Sequence, residues 1–162
     1  MLEAVPSRRW SNSYRLFRDG VLFTEIGPAL FCRVEGLTVA GRTRPVRRGR
    51  FGLIQMHLPE VNGSLQAQAW GSWSGRGWSI AYYAGHEQSY RLRPRRPLGM
   101  TFVLESNGTA VGMIRPQLRG LWCSPIRHVV IDLPDLPLPL VLFAFWLVIT
   151  PWDNHEGGGG AI

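Results

Sequence analysis

The sequence predicts a mainly β domain: a closed antiparallel β-barrel of about 10–12 strands enclosing a single apolar C-terminal helix at about residues 138–150. Three observations predict it. Short alternating or strand-forming runs recur between turn signals along the 162-residue chain. The 19 Gly and 12 Pro are spread throughout, which suits strands joined by turns better than a helical bundle. One long apolar run, LPDLPLPLVLFAFWLVITPW from Leu133 to Trp152, has no polar stripe.

The elements follow in chain order. Residues 1–12 read as a polar lead-in. Tyr14-Arg15-Leu16-Phe17-Arg18 runs into Asp19-Gly20, a hairpin signal, and Val21-Leu22-Phe23 follows. Residues 29–34 and 37–39 are rich in strand formers. Residues 42–50, basic and interrupted by Pro45, read as an exposed loop. Residues 51–58 read as a strand and 59–64 as a turn. Leu65-Gln66-Ala67-Gln68-Ala69-Trp70 alternates small apolar with amide, the pattern of a half-buried strand. After a turn at 72–77 come an aromatic strand at 78–84 and the alternating Ser89-Tyr90-Arg91-Leu92-Arg93, with Tyr90 and Leu92 on one face. A second hairpin turns at Asn107-Gly108 between residues 101–104 and 110–114. The last strand is 128–133. The barrel domain is thus expected at 13–152, followed by a flexible Gly-rich tail at 153–162. The stretches 14–32 and 101–123 echo one another: an apolar strand, an Xxx-Gly turn, Ile-Xxx-Pro and a terminal Cys.

The apolar run fixes the architecture. Pro137 and Pro139 fit only the first turn of a helix, where a missing N–H loses no bond. Asp135 suits the positive end of the helix dipole. Pro151 disfavours helix at Thr150. The helix proper is then 138–149, roughly 18 Å at 1.5 Å per residue. A bilayer core needs ~30 Å, and no Lys or Arg stands close to the run on either side. A tail anchor using residues 133–152 is therefore the weaker alternative. A helix apolar all round must be enclosed all round, and Leu140, Phe143, Phe145, Trp146, Leu147 and Ile149 are expected to fill the core.

At this point the chain resembles the tubby-like superfamily, which includes LURP-one-related proteins and phospholipid scramblases. VVIDLPDLPLPLVLFAFWLVIT (129–150) is similar to its C-terminal signature, AVGMIRPQLRGLWC to the hairpin before the helix, and YRLFRDGVLF to the opening hairpin of LURP-one-related proteins. The resemblance covers about a third of the chain. It implies a twelve-stranded barrel filled by the apolar helix. It also implies binding of phosphoinositides through basic surface residues, as tubby domains do, or the association with lipid movement and calcium seen in scramblases. The acidic run that would hold calcium is reduced here to Asp132 and Asp135. Six or more oxygens are needed, so these two read as a strand end and a helix cap, and no metal site is expected.

Composition narrows the function. The net charge is +7 and every basic residue is Arg, which favours anionic partners. There is no Gly-Xxx-Ser-Xxx-Gly elbow, P-loop, His-Glu-Xxx-Xxx-His or dinucleotide fingerprint, and His57, His86, His128 and His155 are scattered. His128 and Asp132 fall on one face of a strand. No enzyme activity and no cofactor are expected. Cys32 and Cys123 read as reduced, buried residues. The opening residues lack the apolar core of a signal peptide, so Asn62 and Asn107 read as turn residues and the location as cytoplasmic. Two basic clusters are the candidate binding residues: Arg42, Arg44, Arg47, Arg48 and Arg50, and Arg91, Arg93, Arg95 and Arg96. On loops at one side of a barrel they would grip anionic phospholipid headgroups and hold the protein peripherally at a membrane. The alternative is a monomeric scaffold for a protein partner. Nucleic acid is not the expected partner: Trp70, Trp73 and Trp78 are interleaved with Arg76 but read as barrel-wall residues.

Overall fold

The structure is a computed structural model that describes residues 1–7, 13–26, 35–39, 42–48, 53–57, 64–72, 77–96, 99–117 and 128–156. Twelve strands form one antiparallel sheet: β1 (Leu2–Pro6), β2 (Tyr14–Arg18), β3 (Val21–Ile26), β4 (Glu35–Val39), β5 (Arg42–Arg48), β6 (Leu53–His57), β7 (Leu65–Ser72), β8 (Gly77–Ala84), β9 (His86–Pro94), β10 (Phe102–Ser106), β11 (Thr109–Pro116) and β12 (Val129–Asp132). One helix, α1 (Leu138–Glu156), follows. The strand order is β3-β2-β1-β12-β11-β10-β9-β8-β7-β6-β5-β4. All neighbours are sequential hairpins except β1, which closes back onto β12 through Glu3 opposite Val130. The order begins at β3 and ends at β4. These two lie in contact, and among the described residues no ladder joins them.

The helix and the sheet share one core. Residues 140–149 are all buried, and ten consecutive helical residues point in every direction about the axis, so the helix is covered on all sides. The partner surface is the inward half of the strand alternation. Ala4, Leu16, Ile26, Val46, Met56 and Leu104 are each at most 1% exposed and belong to one core with the helix. Tyr14 reaches that core edge-on to Phe145, ring centroids 5.4 Å apart. Among the described residues no helix is long and apolar enough to cross a membrane. Of the run 133–152 that a tail anchor would use, residues 140–149 are buried inside the domain.

Three boundaries differ from the sequence expectation. The lead-in holds β1, because Leu2 and Ala4 face the core while Glu3 and Val5 face out, a pattern too short to register in sequence. Residues 42–48 are a strand, not a loop: β4 pairs along one side and β6 along the other, giving the backbone groups partners despite the charge and Pro45. Gly36 stands opposite that proline. Helix α1 continues through Pro151 to Glu156, so residues 153–156 are helical. Proline removes its own amide bond to Leu147 but its φ remains helical. The expected strand at 29–34, the turn at 59–63, Cys32, Cys123, Asn62 and Trp73 lie outside the described residues.

The echo between the two hairpins has a structural counterpart. In β2–β3 the register shifts after Leu16, skipping Phe23, and the chain turns at Asp19 with φ 52°. In β10–β11 it shifts after Leu104, skipping Val111, and turns at Asn107 with φ 51°. Bulge and turn recur at the same spacing, so both hairpins gain extra twist at the same place.

Candidate anion-binding site

Strand β9 sorts its residues by the pleat. Tyr90 and Leu92 face the core, and Ser89, Arg91 and Arg93 face out. Arg91 stands opposite Glu105 of β10, and Arg93 opposite Val103. Arg93 leans diagonally to Glu105: its Nε and Nη2 both donate to Oε1, at 2.8 and 2.6 Å. The bond from Arg93 holds the Glu105 carboxyl below the usual carboxylate range, aided by the charges of Arg93 and Arg91 against partial desolvation. The same partner raises the Arg93 guanidinium. Arg93 therefore serves its own wall first.

The free charge lies beyond it. Arg95 and Arg96 are exposed in the connection from β9 to β10. Two backbone bonds shape this connection, from Arg95 N to Thr101 O at 2.8 Å and from Gly99 N to Arg96 O at 2.9 Å. Arg115 on β11 is exposed and follows Ile114, the partner of Phe102. It thus flanks Thr101 from the other side. Among the described residues no hydrogen bond or ion pair engages the side chains of Arg95, Arg96 or Arg115. No local pattern marks Arg115, which stands far along the chain from Arg96 and joins the group only through strand register.

The second predicted cluster is elsewhere. Arg42, Arg44, Arg47 and Arg48 belong to β5, where Arg47 pairs with Gln55 and Arg48 with Ile54; Arg50 lies outside the described residues. Four strand spacings separate β5 from β9, roughly 19 Å along the sheet. Both strands run the same way, so their C-terminal ends reach the same end of the sheet. Along β5 only Arg47 and Arg48 reach the end of the sheet where Arg95 and Arg96 stand, while Arg42 and Arg44 lie toward the start of the strand, so the structure does not bring the two clusters into one loop site.

The remaining candidates separate. Trp78 is buried and Trp70 is 44% exposed, because Gly71 pairs with Trp78 and Trp70 with Ser79, on opposite faces. His128 Nε2 lies 3.1 Å from Glu3 Oε2, joining the start of β12 to β1, while Asp132 is exposed at the far end of that strand. His86 Nε2 meets Gln88 Nε2 at 3.1 Å, and Tyr90 Oη donates to Gln88 Oε1 at 2.8 Å. These are rim and wall contacts with no nucleophile beside them. Among the described residues no three His, Cys, Asp or Glu side chains gather as a metal site, and Asp132 and Asp135 gain no third carboxylate.

No protein-family model, no curated protein and no solved structure matches this chain.

Proposed function

We propose that this domain is a non-enzymatic, peripheral binder of anionic surfaces, of which phospholipid headgroups fit best. The observation that carries the reading is the unpaired Arg95 and Arg96 of the exposed β9–β10 connection with Arg115 beside them on β11, extended along the wall by Arg91. Guanidinium groups grip phosphate oxygens bidentately, and the overall charge of +7 draws the protein to such a surface. Arg47 and Arg48, at the C-terminal end of β5, supply a second contact at the same end. In this reading the protein works in the cytoplasm at a membrane surface. We further infer that the sheet closes as a barrel with β3 against β4. Twelve strands about one apolar C-terminal helix also suit the resemblance to the tubby-like superfamily.

The test is vesicle flotation with anionic and neutral lipid at low and high salt. The reading expects a salt-sensitive excess on anionic vesicles that Arg95→Gln, Arg96→Gln and Arg115→Gln together lower, with circular dichroism unchanged. An excess left unchanged by the three substitutions overturns it.

A second reading, a scaffold for a protein partner, is favoured by one observation. Val21, Leu22 and Phe23 are exposed on β3, which stands at one end of the strand order. An extended partner segment added there would gain backbone bonds and apolar cover. Capture of one stoichiometric protein, lost in Leu22→Asp and indifferent to lipid, would favour it.

A further inference from the structure

The end of the sheet where α1 begins is opposite the arginine turn, and it holds a pocket of about 220 Å³. Register places its walls. Leu2 pairs with Arg18 on one side and Ile131 on the other, so Arg18 and the end of β12 stand two strand spacings apart, roughly 10 Å. Arg18 lines one wall, and Asp132 and Asp135 line the other. Between them the surface is apolar, formed by Leu2, Leu133, Leu138 and Val141. Leu2, Leu133 and Val141 are at most 8% exposed.

The charges on the two walls are not paired with one another. The guanidinium of Arg18 contacts the ring of Phe23 at 4.7 Å. Among the described residues no ion pair joins it to Asp132 or Asp135, and no hydrogen bond engages either carboxylate. Outside the pocket the fringe is apolar: Met1 is 66% exposed, Val21 70% and Leu22 56%, and Val21 pairs with Arg18 itself.

We propose that this pocket binds a zwitterionic amphiphile. Its cationic centre meets Asp132 and Asp135, its anionic group meets Arg18, and its apolar chain leaves over Met1, Val21 and Leu22. Opposite charges on two walls select against simpler ligands. A purely anionic amphiphile brings its charge to two carboxylates, and a purely cationic one meets Arg18. The volume is small for a ligand site, so only the head enters. The same head occurs on a free small molecule and on a neutral phospholipid. The inference does not depend on the arginine turn, which lies at the other end of the sheet.

The test compares three amphiphiles of one chain length below their micellar concentrations: dodecylphosphocholine, dodecyl phosphate and dodecyltrimethylammonium. Calorimetry on the full chain should show dodecylphosphocholine binding at least about tenfold more tightly than the other two. Arg18→Gln should lower its affinity about tenfold, and Asp132→Asn with Asp135→Asn should abolish its advantage over dodecyl phosphate. All three residues are exposed, so the variants keep the fold. Binding of free phosphocholine would identify a soluble source, and salt-insensitive binding to phosphatidylcholine vesicles a membrane source; either supports the pocket. Both persist in the Arg95, Arg96 and Arg115 variant, which separates failure of this inference from failure of the surface-binding reading. Equal affinity for the three amphiphiles, or binding unchanged in the Arg18 and Asp variants, overturns the proposal.

Discussion

Tyr14 of β2 meets Phe145 of α1 edge to face, with ring centroids 5.4 Å apart and planes at 87°. One ring comes from the sheet and the other from the middle of the helix, so the contact ties wall to core. Phe145 is fully buried, and its truncation leaves a cavity that the packed core around it only partly fills. Phe145→Ala should therefore lose about 3–5 kcal/mol, a fall in Tm of roughly 10 °C. A double-mutant cycle of Tyr14→Leu with Phe145→Leu should return a coupling of about 0.5–1.5 kcal/mol. Coupling near zero would mean the rings share a space but not an interaction.

Gly112 gives a test of the close approach between β11 and the end of β12. Its φ is 154°, and a Cβ built there would lie 2.2 Å from the Asp132 carbonyl oxygen. Backbone cannot yield as a side-chain tip can, so Gly112→Ala must shift β12 just before the helix begins. Gly108, in the Asn107-Gly108 turn, has φ 78° and open space around it. Gly108→Ala should cost about 1 kcal/mol from the backbone alone. Gly112→Ala should cost clearly more in chemical unfolding. Equal losses would show that β12 is free to move.

Much of this fold is legible in sequence where one face is apolar and the pattern is long. Leu65–Trp70 shows its alternation openly, and the helix shows its enclosure by having no polar face. Residues 42–48 hide theirs, because the one described apolar residue buried on that strand is Val46, and charge and a proline surround it. β1 hides behind its brevity. Pro151 signals a helix end in sequence, yet a helix already held on every side does not stop at one lost amide bond. Arg91, Arg93, Arg95 and Arg96 are visible as a run, but the commitment of Arg93 to Glu105 is a diagonal contact across strands. Arg115 and the Arg18–Asp132–Asp135 pocket depend wholly on register between distant segments, which no local pattern carries.

The Arg93–Glu105 pair predicts a pH dependence. Glu105 titrates below its ordinary value of 4.5 in the folded chain because Arg93 bonds its charged form. A carboxyl with a depressed folded pKa contributes stability that is complete above the unfolded value and lost as pH falls through the folded one. Wild type should exceed Glu105→Gln in Tm by a constant margin at neutral pH. The two curves should converge as the pH is taken below 4.5, down through the folded value. The pair is solvent-exposed, so the margin should also shrink in high salt. A margin that grows in acid would contradict the assignment.

The two basic sites predict an additivity. The ends of β5 and β9 are separated by three strands, roughly 19 Å along the sheet, more than twice the ~8 Å screening length at physiological salt. Charges that far apart act on an anionic surface as separate contacts. Replacing Arg91, Arg95, Arg96 and Arg115 with Gln should lower affinity for anionic vesicles and flatten its salt dependence. Replacing Arg47 and Arg48 should do the same by its own factor. Combining both sets should multiply the two losses, because contacts without shared partners add in free energy. A combined loss no greater than the larger single loss would mean that only one site meets the surface at a time. That outcome would make the orientation on the membrane, not the summed charge, the quantity the arginines set.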